Sequence, residues 1–298
     1  MSSRGKGLRR HMTPGRNGWL LAALVGGVVC AAAGSAEATE GIVMLPHRAI
    51  YEMTLAGTRN GSNVTQVSGR MVYELVGSAC EGYTQNMRFV TQMTSENGTV
   101  TLSDLRSSSW EEGTGRRFRF NSSQYRDEKP TEATAGDASR APGSDIKVEL
   151  SKPARRNIAL SPGTYFPVQH SIALIKAARE GKTMFRADLY DGSEKGEKVY
   201  DTVSVIGLGV TEKTTPDKPL TGKNSERLAG IPTWPVSIAY YEPNSDKKDS
   251  VPVYELSFLF LENGVSRNIV IDYGEFAIQG DLKEIIFLDP GKCEKPAQ

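Results

Sequence analysis

The sequence predicts an all-β fold with one principal helix, built as one large, many-stranded sheet. Apolar and polar residues alternate with a period of two along most of the chain, which is typical of strands. Three Asn-Gly pairs, at 60–61, 97–98 and 263–264, separate such runs and indicate hairpin turns. A helical period is convincing over one segment only, so these observations argue against a helical bundle.

The runs on either side of the first two turns predict individual strands. Alternation over 49–55 and again over 71–75 brackets the first turn. Residues 83–93 and 100–102 flank the second turn in the same way. Two phenylalanines alternate with arginines over 117–120, which predicts a further strand.

The third turn predicts a hairpin near the end of the chain. It joins the run 251–261 to a return run over 265–278, and 282–288 predicts a last strand. Residues 256–261 are apolar on both parities, as expected of a strand that is covered on both faces.

The helical segment lies within residues 163–181, and we predict a helix over 167–180. Pro167 suits its first turn, and Gly181 suits the cap that follows its C-terminus. The residues that form its apolar face are Val168, Ile172, Ile175 and Ala178. We expect this face to pack onto a curved sheet or into its mouth.

Two polar stretches interrupt the alternating pattern. Residues 127–145 contain no Val, Leu, Phe or Tyr, and we expect a mobile polar loop there. Residues 211–227 are also polar. Neither stretch separates regions of different pattern, so we expect residues 39–298 to form a single domain.

The first 38 residues have the organisation of a secretory signal peptide. Five basic residues over 4–16 precede 15 apolar or small residues at 19–33, a run that is short for spanning a bilayer. Ala36-Glu37-Ala38 then provides a small-x-small cleavage pattern. We expect cleavage after Ala38 and export, with an uncleaved N-terminal anchor as the alternative.

The net charge gives no indication of a polyanionic partner. The whole chain carries a formal +1, and removal of the first 38 residues takes it to −3. Proteins that bind nucleic acid or anionic lipid usually have a basic domain or face. Residues 116–120 mix arginine and phenylalanine as single-strand binders do, but inward Phe with outward Arg is simply a strand. We expect no nucleic-acid partner. We also expect that the protein is not an integral membrane protein.

Cleavage would leave Cys80 and Cys293 as the cysteines of the exported chain, because Cys30 lies in the signal segment. In an oxidising compartment they allow one intramolecular pairing. Two unpaired thiols or an intermolecular bridge remain alternatives at this point. Neither cysteine has the C-x-x-C spacing of a redox catalyst, so a bridge would be structural.

The sequence contains few candidates for catalytic residues. His47 and His170 have no spacing typical of zinc hydrolases, and we interpret His170 as a local hydrogen-bond partner. Asp272 and Glu275 suggest a glycosidase pair, but on one strand they would project to opposite faces. We predict no catalytic residue, no metal and no cofactor. Patterns that match N-glycosylation acceptors, often by chance, begin at Asn63, Asn97 and Asn121.

Five motifs spread along the chain carry a family resemblance. They are PGTYFPVQH at 162–170, Asp191-Gly192, WPVSIAY at 234–240, ENGVSR at 262–267 and DYG at 272–274. Together they resemble the envelope-integrity protein B (EipB) family, periplasmic proteins of Gram-negative bacteria. The resemblance spans nearly the whole chain after residue 38, and the stretch 127–145 is the part left unmatched.

The resemblance implies a fold and a location. It implies one β-spiral domain over 39–298, a broken, overlapping barrel with a helix packed against it, in a periplasmic protein. It also implies a structural disulfide between Cys80 and Cys293. The function that it implies is support of cell-envelope integrity without known catalysis.

Two function classes follow for such a protein. In the first, a non-enzymatic factor binds periplasmic or outer-membrane proteins through its sheet surface and edges. In the second, the curved sheet holds a lipid or an acyl chain in an apolar groove, as in outer-membrane lipoprotein carriers. The period-two pattern supports both, because it shows only that one face of the sheet is apolar. An enzyme is a third class, which none of the sequence motifs supports.

Overall fold

A computed structural model describes residues 41–211, 213–214, 218–243 and 251–291. These residues form fourteen strands, the helix α1 (Pro167–Arg179) and two short 3-10 helices, Glu194–Gly196 and Ser225–Leu228. The strands are β1 (His47–Thr58), β2 (Val64–Ser78), β3 (Gly82–Ser95), β4 (Val100–Glu111), β5 (Arg117–Arg126), β6 (Lys129–Arg140), β7 (Ile146–Lys152), β8 (Arg156–Leu160), β9 (Met184–Leu189), β10 (Tyr200–Ile206), β11 (Thr233–Tyr241), β12 (Tyr254–Leu261), β13 (Ser266–Asp272) and β14 (Phe276–Phe287). The predicted all-β class with one principal helix is confirmed.

All fourteen strands belong to one antiparallel sheet. Their spatial order is β8-β7-β6-β5-β4-β3-β2-β1-β14-β13-β12-β11-β10-β9. Neighbours in the sheet are therefore neighbours in sequence, except where β1 pairs with β14. The sheet stays open, with β8 and β9 as its two edges, which agrees with a broken barrel.

The sheet curves around α1. Pro167 begins the helix, where its fixed φ suits the first turn, and Gly181 follows its end with a φ of 70°. The helix buries Val168, Leu174 and Ile175, and one apolar cluster joins these side chains to strands from distant parts of the sheet. Among the strand residues in that cluster are Leu75, Tyr83, Leu189, Ile206, Val236, Ile238 and Phe260.

The two ends of the sheet overlap. The segment 190–197, which follows β9, packs on the inner side of β5 to β7. Tyr190 lies edge-on to the Phe120 ring, with 5.6 Å between ring centroids. Gly192 has a φ of 74°, and a Cβ there would lie 2.3 Å from the Phe120 ring, so the close approach requires glycine. The overlap is therefore closed by side chains rather than by strand pairing.

All three predicted Asn-Gly turns are hairpin turns. They connect β1 to β2, β3 to β4 and β12 to β13. Gly61, Gly98 and Gly264 each have positive φ, the conformation for which such turns select glycine.

The prediction of a mobile polar loop over 127–145 is wrong. Most of this stretch is β6, which pairs with β5 and β7. Its inward residues Thr134, Gly136 and Ala138 are buried, so the period of two is present but carried by small side chains. A Cβ at Gly136 would lie 2.8 Å from the Phe120 ring, which leaves no room for a larger residue.

The predicted return run over 265–278 is also corrected. The chain turns at 273–275, so β13 ends at Asp272 and β14 begins at Phe276. The predicted last strand at 282–288 is the second half of β14. Because Asp272 ends β13 and Glu275 lies in the turn, these two residues do not share a strand.

No helix within the described ranges has the length and apolarity needed to cross a bilayer. The predicted signal segment, residues 1–38, lies outside these ranges.

Candidate functional site on the inner face and edges of the sheet

Glu111 connects the sheet to the N-terminus of α1. It is the last residue of β4 and is 1% exposed. Its carboxylate accepts hydrogen bonds from the backbone N–H groups of Val168, at 2.7 Å, and Gln169, at 2.9 Å. Phe166 at the N-cap provides no side-chain hydrogen bond, so a residue 55 positions earlier satisfies two of the free N–H groups. This contact fixes where α1 begins.

Burial raises the pKa of Glu111 to about 7, against the opposing effects of the two N–H donors and of Arg140. Arg140 donates to the carbonyl of Thr164 at 2.6 Å and to that of Pro162 at 3.1 Å. Its guanidinium also lies 4.7 Å from the centre of the Phe166 ring. These contacts hold the segment that leads into α1. Glu111 and Arg140 therefore both position the start of the helix.

We expect Glu111→Gln to change how stability depends on pH. Between its unfolded pKa of 4.5 and about 7, the wild type binds more protons folded than unfolded, so its stability falls as pH rises. The advantage of wild type over Glu111→Gln should shrink by about 3 kcal/mol across that window. Urea unfolding at several pH values measures it, with the exposed Glu149→Gln as control. A constant difference between Glu111→Gln and wild type would contradict the buried, titrating carboxyl.

His47 and His170 are both buried hydrogen-bond partners. The Thr202 hydroxyl donates to the Ala187 carbonyl at 2.7 Å, so the 3.2 Å contact with His170 has the imidazole Nε2–H as donor. Burial lowers the pKa of His170 to about 4, which keeps it neutral. His47 Nδ1 lies 2.6 Å from the Leu45 carbonyl oxygen. The interpretation of His170 as a local hydrogen-bond partner is confirmed.

The other sequence candidates are surface ion pairs or ordinary strand residues. Asp272 accepts two hydrogen bonds from Arg59, at 2.7 and 3.2 Å. In the basic and aromatic stretch 116–120, both phenylalanines are buried. Arg119 is exposed and forms an ion pair with Asp137 at 2.8 Å. The strand interpretation of that stretch is confirmed.

Strands β3, β4 and β5 line an inner groove. We use this name for the inward side chains of Met87, Phe89, Leu105, Ser107 and Ser122, all only half-buried. Met87 lies opposite Ser107, which lies opposite Ser122, and Phe89 lies opposite Leu105. Small serines on two strands, beside Met and Phe on the third, form a surface that is apolar on one side and polar on the other.

Strand β9 presents unpaired backbone groups at one sheet edge. The Tyr165 N–H donates to the Asp188 carbonyl, and the Tyr190 N–H donates to the Tyr165 carbonyl. Because alternate residues of a strand point the same way, the N–H and C=O groups of Met184 and Arg186 face this edge too. The described residues provide no backbone partner for them.

Apolar side chains lie beside this edge on the outer face. Met184 is 62% exposed and lies directly opposite Val205 on β10, which is 53% exposed. We call Met184 and Val205 the edge patch.

The described residues contain no group of three or more His, Cys, Asp or Glu side chains that could hold a metal ion.

Residues 38–289 match the EipB-like family. This chain belongs to that family. The curated relative "Cell envelope integrity protein EipB" of Brucella abortus is 36% identical over 260 residues, covering 87% of this chain and 90% of the relative. A crystal structure of a β-barrel-like protein of a domain of unknown function, also from Brucella abortus, superimposes with a TM-score of 0.73 at 32% identity. It covers 83% of this chain and 99% of the other.

Three of the five motifs that carry the EipB resemblance contain residues that determine how the inside of the fold packs. Residues 162–170 contain the start of α1 that Glu111 holds. The turn 191–192 lies against Phe120, and Gly264 lies so close to Met44 that a Cβ would be 2.4 Å from its methyl carbon. These EipB motifs therefore mark packing positions.

The structure describes one of the two cysteines of the proposed disulfide of this EipB-like chain. Cys80 lies in the turn between β2 and β3, and Cys293 lies outside the described residues. A Cβ at Gly291 would lie 2.5 Å from a carboxylate oxygen of Glu81. The chain thus returns to the residue beside Cys80 two positions before Cys293, which supports the pairing. The pairing itself stays a prediction.

Sequence reasoning missed Glu111 and the β9 edge. The sequence does contain one indication of Glu111. Its position on β4 is an even number of residues from the inward-facing Leu105 and Ser107, so its side chain also faces inward. A charged residue at an inward position indicates a buried partner. No sequence signal marked β9 as an edge, because edges depend on which strands pair.

Proposed function

We propose that this EipB-like protein supports cell-envelope integrity without catalysis, by binding an extended segment of another envelope protein at β9. The envelope role is supported by the name of its 36% identical relative. The single observation that carries the binding mode is that free backbone groups and the edge patch coincide at β9. Strand addition uses both, because main-chain hydrogen bonds give affinity and side-chain contacts give specificity.

The two edges of the sheet differ in the apolar surface beside them. Both are short, with five residues in β8 and six in β9, and both carry exposed charged side chains, Arg156 on β8 and Arg186 and Asp188 on β9. Strands β7 and β8 have no exposed large apolar side chain. At β9, the exposed side chain of Met184 lies beside that of Val205, so an added strand would cover apolar surface there.

The double variant Met184→Lys/Arg186→Pro should fail to restore detergent resistance to a strain that lacks the gene. Lysine puts a charge into the edge patch, and proline removes an N–H that faces away from β10, so the β9–β10 ladder stays intact. Val100→Lys is the matched control, because Val100 is 51% exposed on β4. We expect that variant to restore resistance fully.

Equal accumulation and equal melting temperatures of the two variants must accompany that result. Full restoration by the double variant would reject the β9 edge but leave the envelope role standing. A deletion strain with normal detergent resistance would reject the envelope role itself. Loss of a homodimer in the double variant, measured by sedimentation, would identify a second copy as the occupant in place of another protein.

A lipid or lipoprotein carrier is the second candidate. The observation that favours it is the inner groove, where Met87, Phe89 and Leu105 stay half-buried although they face inward. A lipid that co-purifies with protein from its own periplasm, detected by native mass spectrometry, would favour the carrier. A mass equal to that of the protein without lipid would favour the binding of an envelope protein at β9.

The proposed location is the periplasm, with residues 1–38 as a cleaved signal and 39–298 as one domain. The ordered basic, apolar and small-x-small segments of the N-terminus support export. The single sheet that joins β1 to β14 supports one domain.

A further inference from the structure

A cleft opens where three turns of the sheet meet. It lies beside the β1–β2, β3–β4 and β13–β14 turns and has a volume of about 360 Å³, near the lower limit for small-ligand sites. We call it the hairpin cleft, lined by Asn63, Val64, Met93, Thr94, Ser95, Asn97, Thr99, Thr101 and Phe276. It belongs neither to the β9 edge nor to the inner groove as defined above.

The rim of the hairpin cleft is tied together by backbone hydrogen bonds. The Glu96 N–H donates to the Asn63 carbonyl at 2.9 Å, which joins two of the turns. The Ser95 N–H donates to the Thr99 carbonyl at 2.9 Å, and the Arg59 N–H donates to the Glu275 carbonyl at 2.8 Å. A ligand would therefore meet a preorganised rim, which lowers the entropic cost of binding.

The lining is polar but uncharged. None of the nine residues is ionisable, so the cleft has no counter-charge for a phosphate, a carboxylate or an amine. It provides amide and hydroxyl groups instead, and these pair with neutral hydroxyl groups. This chemistry favours an uncharged ligand rich in hydroxyls.

Several of these polar groups are available to a ligand. Asn63 and Asn97 use their Oδ1 atoms to accept from backbone N–H groups, at 3.3 and 3.0 Å. Neither side-chain Nδ2 donates to an acceptor within the described ranges, and the same is true of the Thr99 and Thr101 hydroxyls. The N-x-T patterns at Asn63 and Asn97 thus supply both turn structure and free donors.

The floor of the cleft is apolar and partly aromatic. Val64, Met93 and Phe276 line it and pack against the core between β1, β2, β13 and β14. The Phe276 ring lies 5.2 Å from that of Tyr273, centroid to centroid. An aromatic ring below a polar rim suits the face of a sugar ring, whose C–H groups are apolar and whose edge carries hydroxyls.

We infer that the hairpin cleft is a binding site for a neutral saccharide, with Phe276 stacking on the sugar ring and the Asn and Thr side chains bonding its hydroxyls. The saccharide has two sources, a free glycan or the headgroup of a glycolipid. Both present the same chemistry to the cleft.

Titration with maltose and with N,N′-diacetylchitobiose, followed by NMR of the side-chain amides, tests the site. We expect saturable shifts of the Asn63 and Asn97 amide resonances with at least one disaccharide. Thr99→Val/Thr101→Val keeps the shape of both side chains and removes two hydroxyls, and should weaken that binding about tenfold. Thr84→Val, on the same sheet outside the cleft, should leave the affinity unchanged. Phe276→Leu should weaken it by a similar factor.

Dodecyl maltoside, used below its micelle concentration, distinguishes the two sources. Tighter binding than maltose indicates a glycolipid, and equal binding indicates a free glycan; both results support the site. Absence of a saturable shift with all three sugars would overturn it. Saturable shifts of other resonances with both asparagine amides unmoved would also overturn it. Binding of dodecanoate but of none of the sugars would overturn it as well.

Discussion

Replacing Phe118 with alanine is expected to lower the free energy of unfolding by about 3–5 kcal/mol. Phe118 is 1% exposed and lies within the overlap of the two sheet ends. Its ring stacks on that of Phe166 with 4.9 Å between centroids and on that of Phe120 with 5.4 Å. Alanine would leave a cavity between the sheet and the segments that flank α1 and β9.

Urea unfolding of Phe118→Ala measures this loss, and Tyr125→Ala is the control. Tyr125 is an aromatic residue of the same strand on the outer face, where the Arg106 guanidinium lies 4.9 Å from its ring centre. We expect the control to cost about 1 kcal/mol or less. Faster hydrogen exchange over 190–197 in Phe118→Ala would locate the loosening at the overlap. A loss below about 1 kcal/mol would mean that the aromatic contacts do not hold the ends together.

The second large effect is expected from the disulfide. A Cys80–Cys293 bridge would close a loop of 213 residues. The chain-entropy model gives a ceiling of roughly 5 kcal/mol for such a loop, and strain or residual structure in the unfolded chain lowers it. Cys80→Ser and Cys293→Ser should each melt at a lower temperature than the oxidised wild type and should match the reduced wild type.

The intact mass of protein purified from the periplasm tests the bridge and the signal cleavage together. We expect a chain that begins at Thr39 and lacks two hydrogens. Two free thiols would reject the bridge, and a mass that includes Met1 would reject cleavage. With the bridge present, equal melting of wild type and variants would reject its stabilising role.

The sequence allowed the fold class and several elements to be predicted. Asn-Gly pairs have strong local conformational preferences, so the three turns needed no knowledge of the rest of the chain. The helix was predictable because Pro167, Gly181 and a regular apolar face all indicated the same boundaries. Local signals of this kind act within a few residues.

The elements that were missed depend on distant neighbours. The sequence of β6 resembles a polar loop because its inward residues Gly136 and Ala138 are small, and the Phe120 ring leaves no room for a Cβ at Gly136. The pairing of β1 with β14 was equally unpredictable, because nothing in residues 47–58 specifies 276–287 as a neighbouring strand. Small inward residues and long-range pairing therefore account for most of the difference between the predicted and the observed fold.

The candidate site could not be predicted from the sequence. Asn63 and Asn97 were noted as parts of short patterns, yet only the meeting of three turns brings them to one cleft. Glu111 was missed because its partners, the first N–H groups of α1, have no identity in the sequence.

The pairing of β1 with β14 makes the order of strands in space a circular permutation of their order along the chain. Read from β9, the sheet runs to β14 and then from β1 to β8. A gene rearranged to begin at α1, with a linker across the present ends, would encode a pure meander in which every pairing is local. In the natural order, β14 comes last along the chain but belongs in the middle of the sheet, beside β1. Until β14 is in place, β1 and β13 each expose an unpaired edge, so the folding chain depends on being kept from other chains until that strand has paired.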